Sequence, residues 1–231
     1  MRTRTKIVAS VVVVLGIIVA VGVGLWANRD SPEAVDINQA LDTIDTTNED
    51  SNADDAFVLD GTWTVGSTQE SFAGVRIDEE LRGVGAITAV LRTPEVTGEA
   101  IIADGILTDL SISVDLTTLS SDDARRDRSI AGALDLASFP LATFTLADTV
   151  DVSALANGEQ VRFAAVGTLV INGVSQPATV DVTVDTSVSF IVAVAQIPVV
   201  FADFGVDLPS APIVLSLSDE GIIETQLLFR R

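Results

Sequence analysis

The sequence predicts a mainly β, antiparallel domain with one helical excursion, preceded by a single transmembrane helix. Three observations predict it. Ile7 to Trp26 carries no charge; from Phe57 onward short segments alternate apolar and polar residues; and one stretch, Leu116 to Phe144, has helical spacing instead. A chain of 231 residues accommodates one large domain or two small ones, and with the N-terminal segments set aside one is favoured.

Composition narrows the chemistry. There is no Cys and no His. A disulfide framework, a thiol nucleophile, a zinc site and a Ser-His-Asp triad are therefore unavailable, as is the commonest general base. The expectation is a binding protein, not an enzyme, with no cofactor and no metal. Thirteen basic residues face thirty-three acidic ones, and three of the cations precede the apolar run. A body this acidic repels phosphate backbones, which excludes nucleic acid as a partner, and the charge serves solubility. Oligomeric state leaves no mark in the sequence.

Taken in order, the chain opens on a basic tail, residues 1–6, with Arg2, Arg4 and Lys6. The following run, residues 7–26, spans roughly 30 Å as a helix, the thickness of a bilayer core. A secretory signal peptide is the alternative, but signal cores usually run about 7 to 15 residues. The small-x-small site Gly22-Val23-Gly24 lies inside the run. The reading is a single-pass anchor in the cell membrane, with the tail cytoplasmic and everything after Trp26 outside. Residues 28–56 contain nine acids and one arginine, with Val35, Ile37, Leu41 and Ile44 too sparse to make a core. They are expected to form a flexible linker with ends about 30 Å apart, in which a short helix around Val35 to Ile44 is weakly signalled.

The domain proper is expected over residues 57–231. Ile106 to Leu116 is its clearest strand, with Leu110, Ile112, Val114 and Leu116 on one face and Asp109, Ser111, Ser113 and Asp115 on the other. Val161, Phe163, Ala165, Leu169 and Ile171 share a face in the same way, as do Ala178, Val180, Val182 and Val184, and Asn172-Gly173 between these segments signals a tight hairpin. Further strands are expected at Gly61 to Val65, Gln69 to Ile77, Ala86 to Leu91, Thr97 to Ala103, the ATFTL segment, Ile191 to Phe201, Ile213 to Leu217 and Ile222 to Phe229. In the helical excursion Ser120 or Ser121 suits an N-cap, Asp122 and Asp123 suit the first turn, and Ile130, Ala133, Leu134 and Ala137 make an apolar stripe. Arg126 points along that stripe, and Phe139-Pro140 ends it. Periodicity leaves a filled sandwich and a barrel around a cavity equally open.

At the level of motifs the chain resembles the YceI-like family. The resemblance runs from about Leu59 to Phe229 and rests on LDGTWTVGSTQESFAGVRI, VTGEAIIADGIL, ISVDLTTLSSDDARRDRSIAGALDLASFPLATFTL, GTLVINGVSQPATVDVTV and FADFGV. Its most specific parts are Ser121-Asp122 and Arg126-Asp127 ahead of Phe139-Pro140, and the Gly167, Leu169, Ile171, Gly173, Val174, Pro177 pattern. The resemblance implies an antiparallel lipocalin-like β-barrel, exported beyond the bacterial inner membrane, that binds polyisoprenoid lipid. The chain departs from the family where an aspartate and a His-Ser pair usually follow the opening aromatic, reading Val65-Gly66-Ser67-Thr68-Gln69-Glu70-Ser71 instead.

On that reading Trp63, Phe72, Phe144, Phe163, Phe190 and Phe201, with Leu110, Ile112 and Val114, form the apolar wall of a lipid site, or else simply fill a core. Arg126 has two readings as well: an ion pair with Asp122, Asp123 or Asp127, or a clamp for an anionic head such as a pyrophosphate. The rival to a lipid carrier is a filled β-domain acting as a structural or protein-interaction module of the cell envelope. The three aspartates near Arg126 lack the glycine and terminal glutamate of a calcium loop.

Overall fold

The computed structural model describes residues 31–44, 57–187, 189–208 and 212–231. The basic tail and the expected transmembrane helix lie outside the described residues, and among those described no helix is long and apolar enough to cross a membrane. The alternating segments form strands β1 (Gly61–Val65), β2 (Phe72–Leu81), β3 (Gly85–Thr93), β4 (Val96–Ala103), β5 (Ile106–Asp115), β6 (Leu141–Leu146), β7 (Val150–Asp151), β8 (Val161–Ile171), β9 (Val174–Thr186), β10 (Ile191–Val200) and β11 (Val214–Phe229). Helices α1 (Ile37–Thr43) and α2 (Ala124–Ala133) and three 3₁₀ turns, Leu116–Thr118, Ser153–Asn157 and Phe201–Phe204, complete the described elements.

The strands make one antiparallel sheet in the order β1-β4-β5-β6-β8-β9-β10-β11-β2-β3, with β7 beside β5. The sheet curls as expected of a barrel, but it is a half-barrel whose edges are not joined by a ladder. Single bridges tie them: Thr64 exchanges two 2.8 Å backbone bonds with Arg230, and Arg92 pairs with Ser120 at 2.9 and 3.1 Å. The edge strand β1 has only five residues to offer β11, which has sixteen. The two strands expected at Ile213 to Leu217 and Ile222 to Phe229 are one. Its register against β2 shifts between Leu217 and Gly221, so an irregularity carries the chain through where a turn was expected. The Asn172-Gly173 hairpin forms as read, with φ of 52° and 74°.

Apolar side chains on the inner face gather in two clusters. Trp63, Leu107, Val152, Leu155 and Phe229 lie toward one end, the base, and Phe144, Leu169, Ile197, Phe204 and Val206 toward the other.

Part of the expected flexible linker is folded. Asp36 caps α1, accepting from the amides of Asn38 and Gln39 at 2.9 and 3.2 Å. Ile37, Ala40 and Ile44 bury against Phe190, Val192, Val194 and Leu228 on the outer face of β10 and β11. Three apolar residues cannot make a core, but they suffice to cover an apolar patch that the sheet already presents. Beside that patch Glu224, fully buried, accepts from Arg92 Nε and Nη2 at 3.0 and 2.6 Å and from the Val35 amide at 3.3 Å, with Arg76 at 3.7 Å. Both arginines also donate to the strap backbone, Arg92 to Glu33 at 2.8 Å and Arg76 to Pro32 at 2.7 Å. A buried carboxylate is tolerable only when it is paired this completely.

Ala40→Asp places an unpaired charge at a fully buried position. It is expected to free residues 37–44 to rapid amide hydrogen exchange while the β10 and β11 amides stay protected, and to cost about 2 kcal/mol in urea unfolding.

Candidate binding cavity

Inward-facing residues of the curled sheet enclose two chambers in line. The one under α2 has a volume of about 140 Å³ and the one toward the base about 110 Å³. They meet at a waist shared by Ile112, Phe144, Ile197 and Thr225. Thr143 and Thr225 are the polar lining residues of the upper chamber; in the lower one Trp63 has its indole N–H satisfied by the Leu59 carbonyl at 2.8 Å. Gly167 explains the waist. A Cβ there would overlap the Phe144 ring and the Thr145 carbonyl, so only glycine lets Phe144 lie across the interior.

Trp63, Leu110, Ile112, Val114, Phe144, Phe163 and Phe201 all line a chamber, as the sequence reading expects of wall residues. Phe72 and Phe190 do not, which corrects that reading. In β2 it is Ala73, Val75 and Ile77 that point inward, so the period of two turns Phe72 out, beneath the Arg92 guanidinium 4.3 Å from its ring centre. Phe190 precedes β10 and is buried under α1 on the outside.

The helical excursion covers the upper chamber through Leu116, Leu119, Ile130 and Leu134. Its cap is Asp123, which accepts from the Arg125 amide at 2.7 Å, not Ser120 or Ser121. Ser121 does different work: its hydroxyl donates to Asp127 at 2.6 Å and accepts from the Asp123 amide at 3.2 Å and from Arg126 at 3.3 Å. The helix ends at Ala133, so Ala137 falls beyond the expected stripe.

Arg126 does face what the helix covers, and it is engaged there. Nη2 donates to Glu79 on the inner face of β2 at 2.7 Å, and Nη1 to Asp122 at 2.6 Å. Burial alone pushes the guanidinium down, but the hydrogen bonds and charges of Glu79 and then Asp122 outweigh it and hold the group above its ordinary value. Asp127 is spent on Ser121, accepting from its amide at 2.8 Å as well as its hydroxyl. The ion pair thus joins lid to wall, with Glu79 as a partner that the sequence reading missed because it ended that strand at Ile77. The available signal was an acid continuing the inward register Ala73, Val75, Ile77. Asn172 is a second missed residue: its Oδ1 accepts from the Asp135 amide at 2.9 Å and its Nδ2 donates to the Gly205 carbonyl at 3.4 Å, fastening the end of the lid to the Phe201–Phe204 turn. Among the described residues no group of three or more acidic side chains is placed to hold a metal ion.

A curled antiparallel half-barrel, apolar inside and capped by a short helix, defines a lipocalin-like β-protein. The YceI-like domain model matches residues 63–229, and the chain belongs to that family. Among solved structures it is similar to a polyisoprenoid binding domain from Saccharophagus degradans, implicated in plant cell wall breakdown. That similarity is at 16% identity and a TM-score of 0.57, covering 73% of this chain and 97% of that one. It is also similar to BcnA of Burkholderia cenocepacia, at 18% identity and a TM-score of 0.52, covering 68% and 95%. No curated protein sequence matches the chain.

Removing Arg126 leaves Glu79 buried and unpaired. Arg126→Ala is expected to destabilise the domain by about 3 kcal/mol, whereas Arg126→Met combined with Glu79→Met recovers most of the loss; urea unfolding of the three variants checks this.

Proposed function

We propose that this protein holds a long apolar lipid of isoprenoid type inside the half-barrel and performs no chemistry on it. In this reading it is tethered to the cell membrane by Ile7 to Trp26, with the domain outside the cytoplasm. The observation that carries the proposal is the pair of in-line chambers, whose lining offers a ligand almost nothing but hydrocarbon. A thin chain suits such a shape, gaining about 0.8 kcal/mol for each CH₂ it buries. The polyisoprenoid named for the Saccharophagus relative has that form. Absence of His and Cys from the sequence supports binding over catalysis.

At about 140 and 110 Å³ the chambers fall below the roughly 300–1,000 Å³ of most ligand sites. Loading a long chain therefore requires the lid to lift, with Ile130 and Leu134 withdrawing from the upper chamber. Arg126, already paired with two carboxylates, serves as the latch of that lid and not as a clamp for an anionic head. The same small volume favours the rival reading, a filled module of the cell envelope without a small ligand.

Mass spectrometry of an organic extract of the purified chain from Ser31 onward separates the two. One lipid per chain is expected; no recovered lipid, together with no binding of added prenyl lipids, establishes the module instead. Ala165→Phe intrudes on the lower chamber at a fully buried position, and is expected to abolish lipid recovery while overpacking costs about 1–3 kcal/mol of stability.

A further inference from the structure

Resting on the reading of Ile7 to Trp26 as a membrane anchor, we propose that the covered end of the cavity is the end that faces the membrane. Its apolar rim docks on the lipid surface from which the ligand enters.

The path of the strap supplies the first argument. The Ser31 hydroxyl donates to the carbonyl of Thr88, which lies opposite Asp78 and so next to Glu79, the wall partner of the lid. Pro32 then meets Arg76, Glu33 meets Arg92, and the Val35 amide meets Glu224. Finally α1 and Ile44 pack into the cluster of Phe190, Val192, Val194 and Leu228, which reaches toward the base. Along the β2, β3 and β11 registers each contact lies further from the level of Glu79. The strap therefore descends the outer wall from covered end to base, and the chain N-terminal to Ser31 leaves the domain at the covered end. Covalent geometry allows at most about 18 Å between Trp26 and Ser31. A slack coil over residues 28–56 would have let the domain present any side; a docked strap does not.

The distribution of exposed apolar side chains is independent of the strap and agrees with it. Phe139 and Leu141 follow the lid helix, Val200 ends β10 beside the Phe201–Phe204 turn, and Ile213 and Leu215 open β11 opposite Leu81. All five are exposed and all lie at the covered end; of the other large apolar residues exposed among those described, Val166 and Ile222 lie midway along the outer wall and Val58 at the base. Charge does not favour a membrane contact for so acidic a body, so the contact is an apolar one.

Absence of native cysteine makes a single introduced thiol uniquely labelled. The full chain carrying a fluorophore at Ser129→Cys on the lid, or at Glu159→Cys near the base, is reconstituted into phosphatidylcholine vesicles containing a headgroup-quencher lipid. The ten-residue strands separate the two labels by about 30 Å. The lid label is expected to lose most of its emission and the base label little. Ile213→Glu with Leu215→Glu is expected to weaken quenching at the lid. Equal quenching at both positions, or stronger quenching at the base, overturns the orientation while leaving tethering and lipid binding in place. Unchanged lid quenching in the rim variant overturns docking by the rim. Failure of the chain to float with the vesicles overturns the tethering reading and the orientation with it.

Discussion

An antiparallel sheet that curls without closing keeps two edges, and most of the unusual features of this structure serve to hold them. At one edge, the short β1 reaches the end of β11 through the Thr64–Arg230 bridge, with Arg231 over the Trp63 ring and donating to the Asp60 carbonyl beside it. At the other, Arg92 of β3 works on both sides of the wall. Its backbone pairs with Ser120, where the chain enters the lid, and its side chain holds Glu224 and the strap carbonyl of Glu33. Lid and strap are thus fastened to one strand. Because an unpaired edge exposes backbone donors and acceptors to other chains, covering β3 with the lid approach and the strap also protects it from misassociation.

The interior obeys a different constraint. Every strand of the curl must turn apolar side chains inward at a period of two, and aromatic rings are the cheapest way to fill such a space without polar atoms. Phe144 lies across the middle because Gly167 gives way to it, and this ring divides what would otherwise be one channel. Ile112, Ile197 and Thr225 complete the waist around it.

Strands and their faces were legible in the sequence wherever one face was wet. Ile106 to Leu116 and Val161 to Ile171 alternate strictly, and Leu110, Ile112, Val114 and Phe163 fall where the alternation places them. Legibility failed where both faces are dry. In β10, expected as a strand, Ile191 and Ala193 line the cavity while Val192 and Val194 lie under α1, so Ile191 to Ala195 is an unbroken apolar run with no phase to read before Gln196. The short helix signalled around Val35 to Ile44 forms as α1, but its docking on the outer face was hidden for the complementary reason: three apolar residues in an acidic stretch look like a linker until a patch exists to receive them. Phe190 and Phe72 were misplaced by that same blindness to the outer wall. Glu79 escaped notice because the expected strand stopped at Ile77; only the register carried on past it reveals that it points in.

The carboxylates buried among the described residues, Glu79 and Glu224, are held by arginine, and the supply of arginine is small: ten after the apolar run, against thirty-three acids. In such a chain an arginine placed next to a carboxylate in the wall has an electrostatic partner already, and an incoming anionic head would have to displace it. Displacement would strand Glu79 on the inner face beneath the lid, 8% exposed and without its cation, at a cost of several kcal/mol. An anionic ligand must repay that cost from its own contact with the guanidinium, whereas an uncharged apolar chain entering beneath the lid leaves the pair intact. The same pair that fastens the lid therefore also biases the cavity toward ligands that bring no charge of their own.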